Sequence, residues 1–108
     1  MTTFDKREEA FEKKFAIDEE LKFKAEARRN RLLGLWAAEK LGLSGEAVPM
    51  YARETVAAAF AEGGGEKAVI GKLTGDFTAK GVAVTPEEIR ARMSEYLAQA
   101  VAQLKAGQ

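Results

Sequence analysis

Adjacent carboxylates occur at Glu8-Glu9, Asp18-Glu19-Glu20 and Glu87-Glu88. Two carboxylates can divide acid and base work when one of them is desolvated and its pKa rises. Neighbours on a helix point about 100° apart, and these groups stand among lysines or at a helix start. They therefore stay ionised in water and read as solvated faces or a cap. The chain has no histidine and no cysteine. Those absences remove the usual general base, the commonest metal ligand and the usual switch near neutral pH. They also remove thiolate nucleophiles, thiolate metal sites and disulfides. Ser44 and Ser94 are left without an activating partner of the usual kind. The run from Gly64 to Leu73 is only faintly like a phosphate loop. Glu66, not glycine, stands five positions before Gly71, and Leu73 occupies the place of the metal-binding hydroxyl. It reads as a flexible link entering a helix. No catalytic residue, metal or cofactor is assigned.

Two groups of residues point to binding instead. Arg28-Arg29-Asn30-Arg31 is the one local basic cluster. Its ordinary reading is a solvated helix face; the alternative gives Arg28, Arg29 and Arg31 a phosphate, a nucleotide or an acidic patch on a partner. Phe4, Phe11 and Phe15, at spacings of 7 and 4, share one narrow helical face. Around them stand Asp5, Lys6, Arg7, Glu8, Glu9, Glu12, Lys13, Lys14, Asp18 and Glu19. Three aromatics on a charged helix suit a ligand that lies in a partner's groove, with the rings as anchors and the charges setting register. Packing within this chain, or within a structural homodimer, is the competing reading.

The elements that carry these residues follow from composition. The chain has 108 residues, the size of one domain. Apolar residues make up 46% and charged residues 31%, with 17 basic and 17 acidic side chains, so the formal net charge is zero. A neutral chain has no long-range field drawing it to nucleic acid or anionic lipid. The longest apolar run, from Leu32 to Ala38, is far short of the roughly 20 residues a membrane span needs. No secretory signal is visible, and the expectation is a cytoplasmic protein. Proline occurs only at 49 and 86, and Ala, Leu, Glu, Lys and Arg dominate, so helix is expected almost throughout.

Thr85-Pro86-Glu87-Glu88 is a capping box with proline at the first helical position. Val84 and Ile89 sit where a hydrophobic staple belongs. The helix that follows, expected at 86–106, has the stripe Ile89, Met93, Tyr96, Leu97, Ala100, Val101, Leu104. A helix near 66–80 carries Val69, Ile70, Leu73 and Phe77 and ends at Gly81, where φ must turn positive. Another, near 46–61, carries Ala52, Thr55, Val56, Ala59 and Phe60; its start is blurred by Pro49. From Thr3 to Leu41 only Gly34 interrupts the helical pattern. That rod of some 39 residues would be roughly 58 Å long, against about 24–32 Å for the others. Its inner part carries Leu21, Ala25, Leu32 and Trp36, with Leu33 alongside, and belongs in the core. The expectation is an all-α four-helix bundle over residues 20–108. The N-terminal end of its long first helix projects or is flexible, so residues 1–19 form a docking segment. Half of the charged side chains, 17, lie within residues 1–31. Glu9–Lys13, Asp18–Lys22 and Glu20–Lys24 are acid-before-base pairs at i,i+4, which support a solvated helix by a few tenths of a kcal/mol each.

Several stretches resemble the zeta subunit of alphaproteobacterial F-type ATP synthases. They are Phe4-Asp5-Lys6-Arg7-Glu8, Phe11-Glu12, Phe15, Asp18-Glu19-Glu20-Leu21, Lys80-Gly81-Val82, Leu97 to Gln103 and above all Phe23 to Ala38. The resemblance covers essentially the whole chain; Gly63-Gly64-Gly65 and Val48-Pro49 are less typical. It implies a non-enzymatic four-helix bundle that inhibits ATP hydrolysis by the catalytic head of the synthase. In that family the extreme N-terminal segment is the inhibitory element. It enters a catalytic interface between the α and β subunits, next to the central stalk, and blocks rotation. Carried over, the element is about residues 1–19, with Phe4, Arg7, Glu8, Phe11 and Phe15 at matching positions. The chain is expected to be a monomer when free and to meet the membrane only through the synthase. A small nucleotide- or anion-binding bundle and a structural homodimer are the alternative functions.

Overall fold

The computed structural model describes residues 19–61 and 63–107. The expected projecting end, with Phe4, Arg7, Glu8, Phe11 and Phe15, lies outside the described residues. Within them the chain is all-helical, with no strand: α1 Glu19–Lys40, α2 Ala47–Ala58, α3 Glu66–Lys80 and α4 Pro86–Lys105. At 1.5 Å per residue the described part of α1 is about 33 Å long and α4 about 30 Å. On the same rule α2 is about 18 Å and α3 about 22 Å, so α1 exceeds both, and the rest of the expected rod lies outside the described residues.

The helix boundaries follow from local chemistry. The Thr85 hydroxyl accepts the N–H of Glu88 at 3.1 Å, and Pro86 opens α4 with its φ already helical. Ile89 is fully buried beneath that cap, with half-buried Val84 packed on the same core. α3 ends where Gly81 takes a φ of +71° and its N–H returns to the carbonyls of Phe77 and Thr78. Only glycine adopts that geometry without a Cβ penalty. α2 has no side-chain cap: Glu46 precedes it, and Ser44 and Gly45 contribute backbone carbonyls to the N–H groups of Ala47 and Val48. Pro49 falls in the first turn, where a missing N–H costs nothing. α2 also stops earlier than its periodicity suggests. Phe60 lies two residues beyond its end and is 61% exposed, not part of the core stripe.

α1 is the hub, packing most extensively against α2 and α4, while α3 closes the bundle against those two. The main core joins Leu33, Ala37, Ala38 and Leu41 of the α1 end to Tyr51, Val69, Leu73, Phe77, Ile89 and Met93. Trp36 borders it, its ring edge-on to Phe77 at 5.8 Å between centroids and the Arg92 guanidinium 5.6 Å from its own centroid. A smaller cluster joins Ala25 to Ala100 and Val101 at the other end of α1. The buried face of α1 is thus Ala25, Arg29, Asn30, Leu33, Gly34, Ala37 and Ala38. Leu21, Leu32 and Trp36, expected at the centre of that face, are half-buried on its edges. The correction has a steric cause. A helix that touches two neighbours at once turns its small residues inward, so that the backbones can approach, and leaves its bulky ones to fill the flanks.

Gly34 marks the closest approach. A Cβ there would stand 2.7 Å from the Ala52 Cα and 2.8 Å from the Thr55 hydroxyl oxygen. Thr55 is itself fully buried, its hydroxyl donating to the Tyr51 carbonyl at 2.9 Å. Gly34→Ala should therefore destabilise the bundle by about 1–3 kcal/mol through overpacking, although alanine is the better helix former. Gly71 in α3 has nothing within 4 Å of its missing Cβ, so Gly71→Ala should stabilise by about 0.4–1 kcal/mol. Urea unfolding of the two variants beside the wild type checks the opposite signs.

Candidate functional site

The three arginines of the basic cluster part company on the folded helix. Arg29 is almost wholly buried. Its Nη1 donates to the Glu66 carboxylate at the start of α3 at 3.0 Å, and its Nε to the Asn30 side-chain oxygen at 3.1 Å. It ties α1 to α3, with only the Glu66 end, 65% exposed, in water. Arg28 is half-buried and its Nη1 donates to the Gln103 side-chain oxygen on α4 at 3.3 Å. Arg31 is exposed. One arginine is thus committed inside the bundle and two border a surface. The faint phosphate-loop match becomes a helix start, with Gly65 at φ +88° before Glu66.

The surface that Arg28 and Arg31 border is a shallow groove of about 720 Å³. Leu32 and Ala27 of α1, Val56 of α2 and Leu104 of α4 give it an apolar floor. Lys24 joins the two arginines in its lining, which contains no acid. At its edge Phe23 meets Phe60, with ring centroids 5.7 Å apart, and both rings are more than half exposed. In the sequence Phe23 stands out only through the resemblance, and Phe60 fits the α2 stripe. The signal that finds Phe23 is positional: at about 100° per residue it shares a face with Asn30 and Gly34, on the side that meets α2, but lies two turns earlier and meets Phe60, past the α2 end. Lys24 pairs with Glu20 at 3.0 Å, one of the expected i,i+4 pairs.

A second polar cluster holds α2 to α3. The Tyr51 hydroxyl donates to Asp76 at 2.7 Å; Lys72 bonds the same carboxylate oxygen at 2.9 Å and lies 4.4 Å from the Tyr51 ring centroid. Burial, followed by the hydrogen bond to Asp76 and the carboxylate charge, pushes the Tyr51 hydroxyl well above its ordinary pKa. Burial would also raise Asp76, but the bonds from Tyr51 and Lys72 and the Lys72 charge outweigh it and hold this carboxyl below its ordinary value. Among the described residues no three His, Cys, Asp or Glu side chains gather into a metal site, and no helix is long and apolar enough to cross a membrane.

The family model for ATPase inhibitor subunit zeta matches residues 1–103. The chain belongs to that family. As a zeta subunit it is a member of a family of inhibitory regulators, and the match begins at residue 1, so it includes the segment whose Phe stripe precedes the bundle. A solved solution NMR structure has the same fold: 44% identity, TM-score 0.70, with 82% of this chain and 99% of that one covered. No match was found among curated proteins.

The Tyr51–Asp76 bond gives this zeta subunit a pH-dependent stability. A depressed carboxylate contributes stability that is present above its ordinary pKa, about 3.9, and is lost as pH falls through the folded value. A raised tyrosine contributes below about pH 10 and loses that contribution as pH rises. Tyr51→Phe should cost about 1 kcal/mol at pH 7, below the usual range for a bond to a charged group, because Asp76 is partly exposed and keeps Lys72. The gap between variant and wild type should narrow below pH 4 and above pH 10 in urea unfolding.

Proposed function

We propose that this chain inhibits ATP hydrolysis by the catalytic head of an F-type ATP synthase, with residues 1–19 as the element that enters a catalytic interface. The family match from residue 1 carries this reading. The chemistry of the segment supports it. At about 100° per residue, Phe4, Phe11 and Phe15 fall within a narrow sector, and Arg7 and Glu8 fall on either side of it. A helix so patterned offers three anchors to apolar pockets, and a cation and an anion to fix its rotation about its axis. Each Phe, fully buried, contributes about 1.5–3 kcal/mol, offset by the cost of ordering the segment at the interface.

Obstruction of a rotary machine needs an object held in the path of moving parts, not a reaction. The bundle serves as the holder. Residues 1–19 run directly into α1 in sequence, so the helix that forms the hub of the core is also the one that carries the segment. The head is the partner, and neither a cofactor nor a metal takes part in the inhibition.

ATP hydrolysis by the purified cognate head, titrated with three proteins, tests this. Wild type should inhibit. A chain lacking residues 2–19 should keep its helical circular dichroism and lose inhibition, and Phe11→Ala should raise the half-inhibitory concentration by roughly tenfold, the loss of one anchor. Undiminished inhibition by the truncated chain would remove residues 1–19 from the mechanism.

A further inference from the structure

We infer that the groove beside Phe23 is a second docking surface, and that its occupant is an apolar helical segment of the catalytic head flanked by carboxylates. The inference rests on the reading that the head is the partner. Three observations carry it. The first is charge. Lys24, Arg28 and Arg31 line the groove and no acid does; Glu20 pairs with Lys24 from outside the lining, and the exposed Arg31 carries its charge at the rim. An apolar floor with a cationic rim complements an amphipathic helix that has one apolar row and acidic shoulders.

The second is continuity. The groove starts at Phe23, about one helical turn from Glu19, where the proposed inhibitory segment joins α1. Any surface that takes up that segment comes within reach of the groove. The third is the aromatic pair. Phe23 and Phe60 are, with Met50, the large apolar side chains left most exposed among the described residues, and the first two stand together at the groove's edge. Adjacent exposed rings are the usual composition of an interface centre rather than of free surface.

Other occupants fit less well. A second copy of this chain would bring three cations against three across an isologous contact. A free phosphate or nucleotide calls for converging donors, whereas Arg29, the buried arginine, faces Glu66 and Arg28 is bonded to Gln103.

The test compares full-length wild type with the double variant Arg31→Glu/Phe60→Ala in the same hydrolysis assay. Both positions are exposed, and an unchanged thermal unfolding curve verifies the fold. The variant should need roughly tenfold more protein for half inhibition, from the loss of one ion contact and one aromatic contact. Its half-inhibitory concentration should also depend less steeply on salt than that of the wild type. Arg31→Lys alone, which keeps the charge, should stay close to wild type. An unchanged half-inhibitory concentration in the double variant overturns the inference while leaving the role of residues 1–19 intact; retained inhibition after removal of residues 2–19 contradicts that role instead. With that concentration unchanged, dimerisation of the wild type abolished in the variant would assign the groove to a second copy. ATP-induced NMR shifts confined to Arg31 and Phe60 would assign it to phosphate.

Discussion

A methyl group on residue 34 would collide with the backbone of Ala52, and the bundle is arranged around that absence of a side chain. With nothing on Gly34, α1 lies close enough to α2 for Ala37 and Ala38 to be sealed and for Thr55 to be buried without an unpaired hydroxyl. α1 then has α4 on another side, through Ala25 against Ala100 and Val101. Small residues along two sides of one helix make it the shared wall of the domain. The direction of α1 is thereby fixed by packing at both of its ends.

The polar contacts complete the hold. Arg29 reaches from the middle of α1 to Glu66, and Tyr51 from α2 to Asp76, so each anchors α3 from a different helix. A buried guanidinium is costly to leave unpaired, which makes the start of α3 sensitive to the placement of α1. Trp36, with Phe77 at one edge and Arg92 over its ring, links the same helix to α3 and α4. The domain is thus a rigid holder whose contacts converge on the one helix that carries the proposed inhibitory segment. That arrangement suits a protein that works by holding an obstacle in place.

How far this was legible in the sequence varied with the kind of signal. The limits of α3 and α4 were readable because they depend on local chemistry: a left-handed glycine at 81, and Thr85 with Pro86 and Glu88. The burial phase of α1 departs from its most hydrophobic stripe because Leu32 and Trp36 are more hydrophobic than Gly34, Ala37 and Ala38, while close approach selects for size; Ala25 belongs to both. Burial of Arg29 was hidden because its partner Glu66 lies 37 residues away. Phe60 matched a periodic stripe but lies past the helix end, where periodicity no longer reports which way a side chain faces. Family membership was readable from the stretch Phe23 to Ala38. Within that stretch Ala25, Leu33, Ala37 and Ala38 serve the core, and Phe23 and Arg31 the surface.

In the proposed mechanism the segment before the bundle meets the head while the far side of the bundle does not. The chain has no cysteine, so one thiol can be placed at will. A spin label at Ala16→Cys, and separately at Ala91→Cys on the exposed side of α4, reports each place directly when inhibiting amounts of head are added. Insertion of residues 1–19 immobilises the label at position 16 and leaves that at position 91 little changed. A label at 16 that tumbles as freely with the head as without it, while hydrolysis is inhibited, contradicts that insertion.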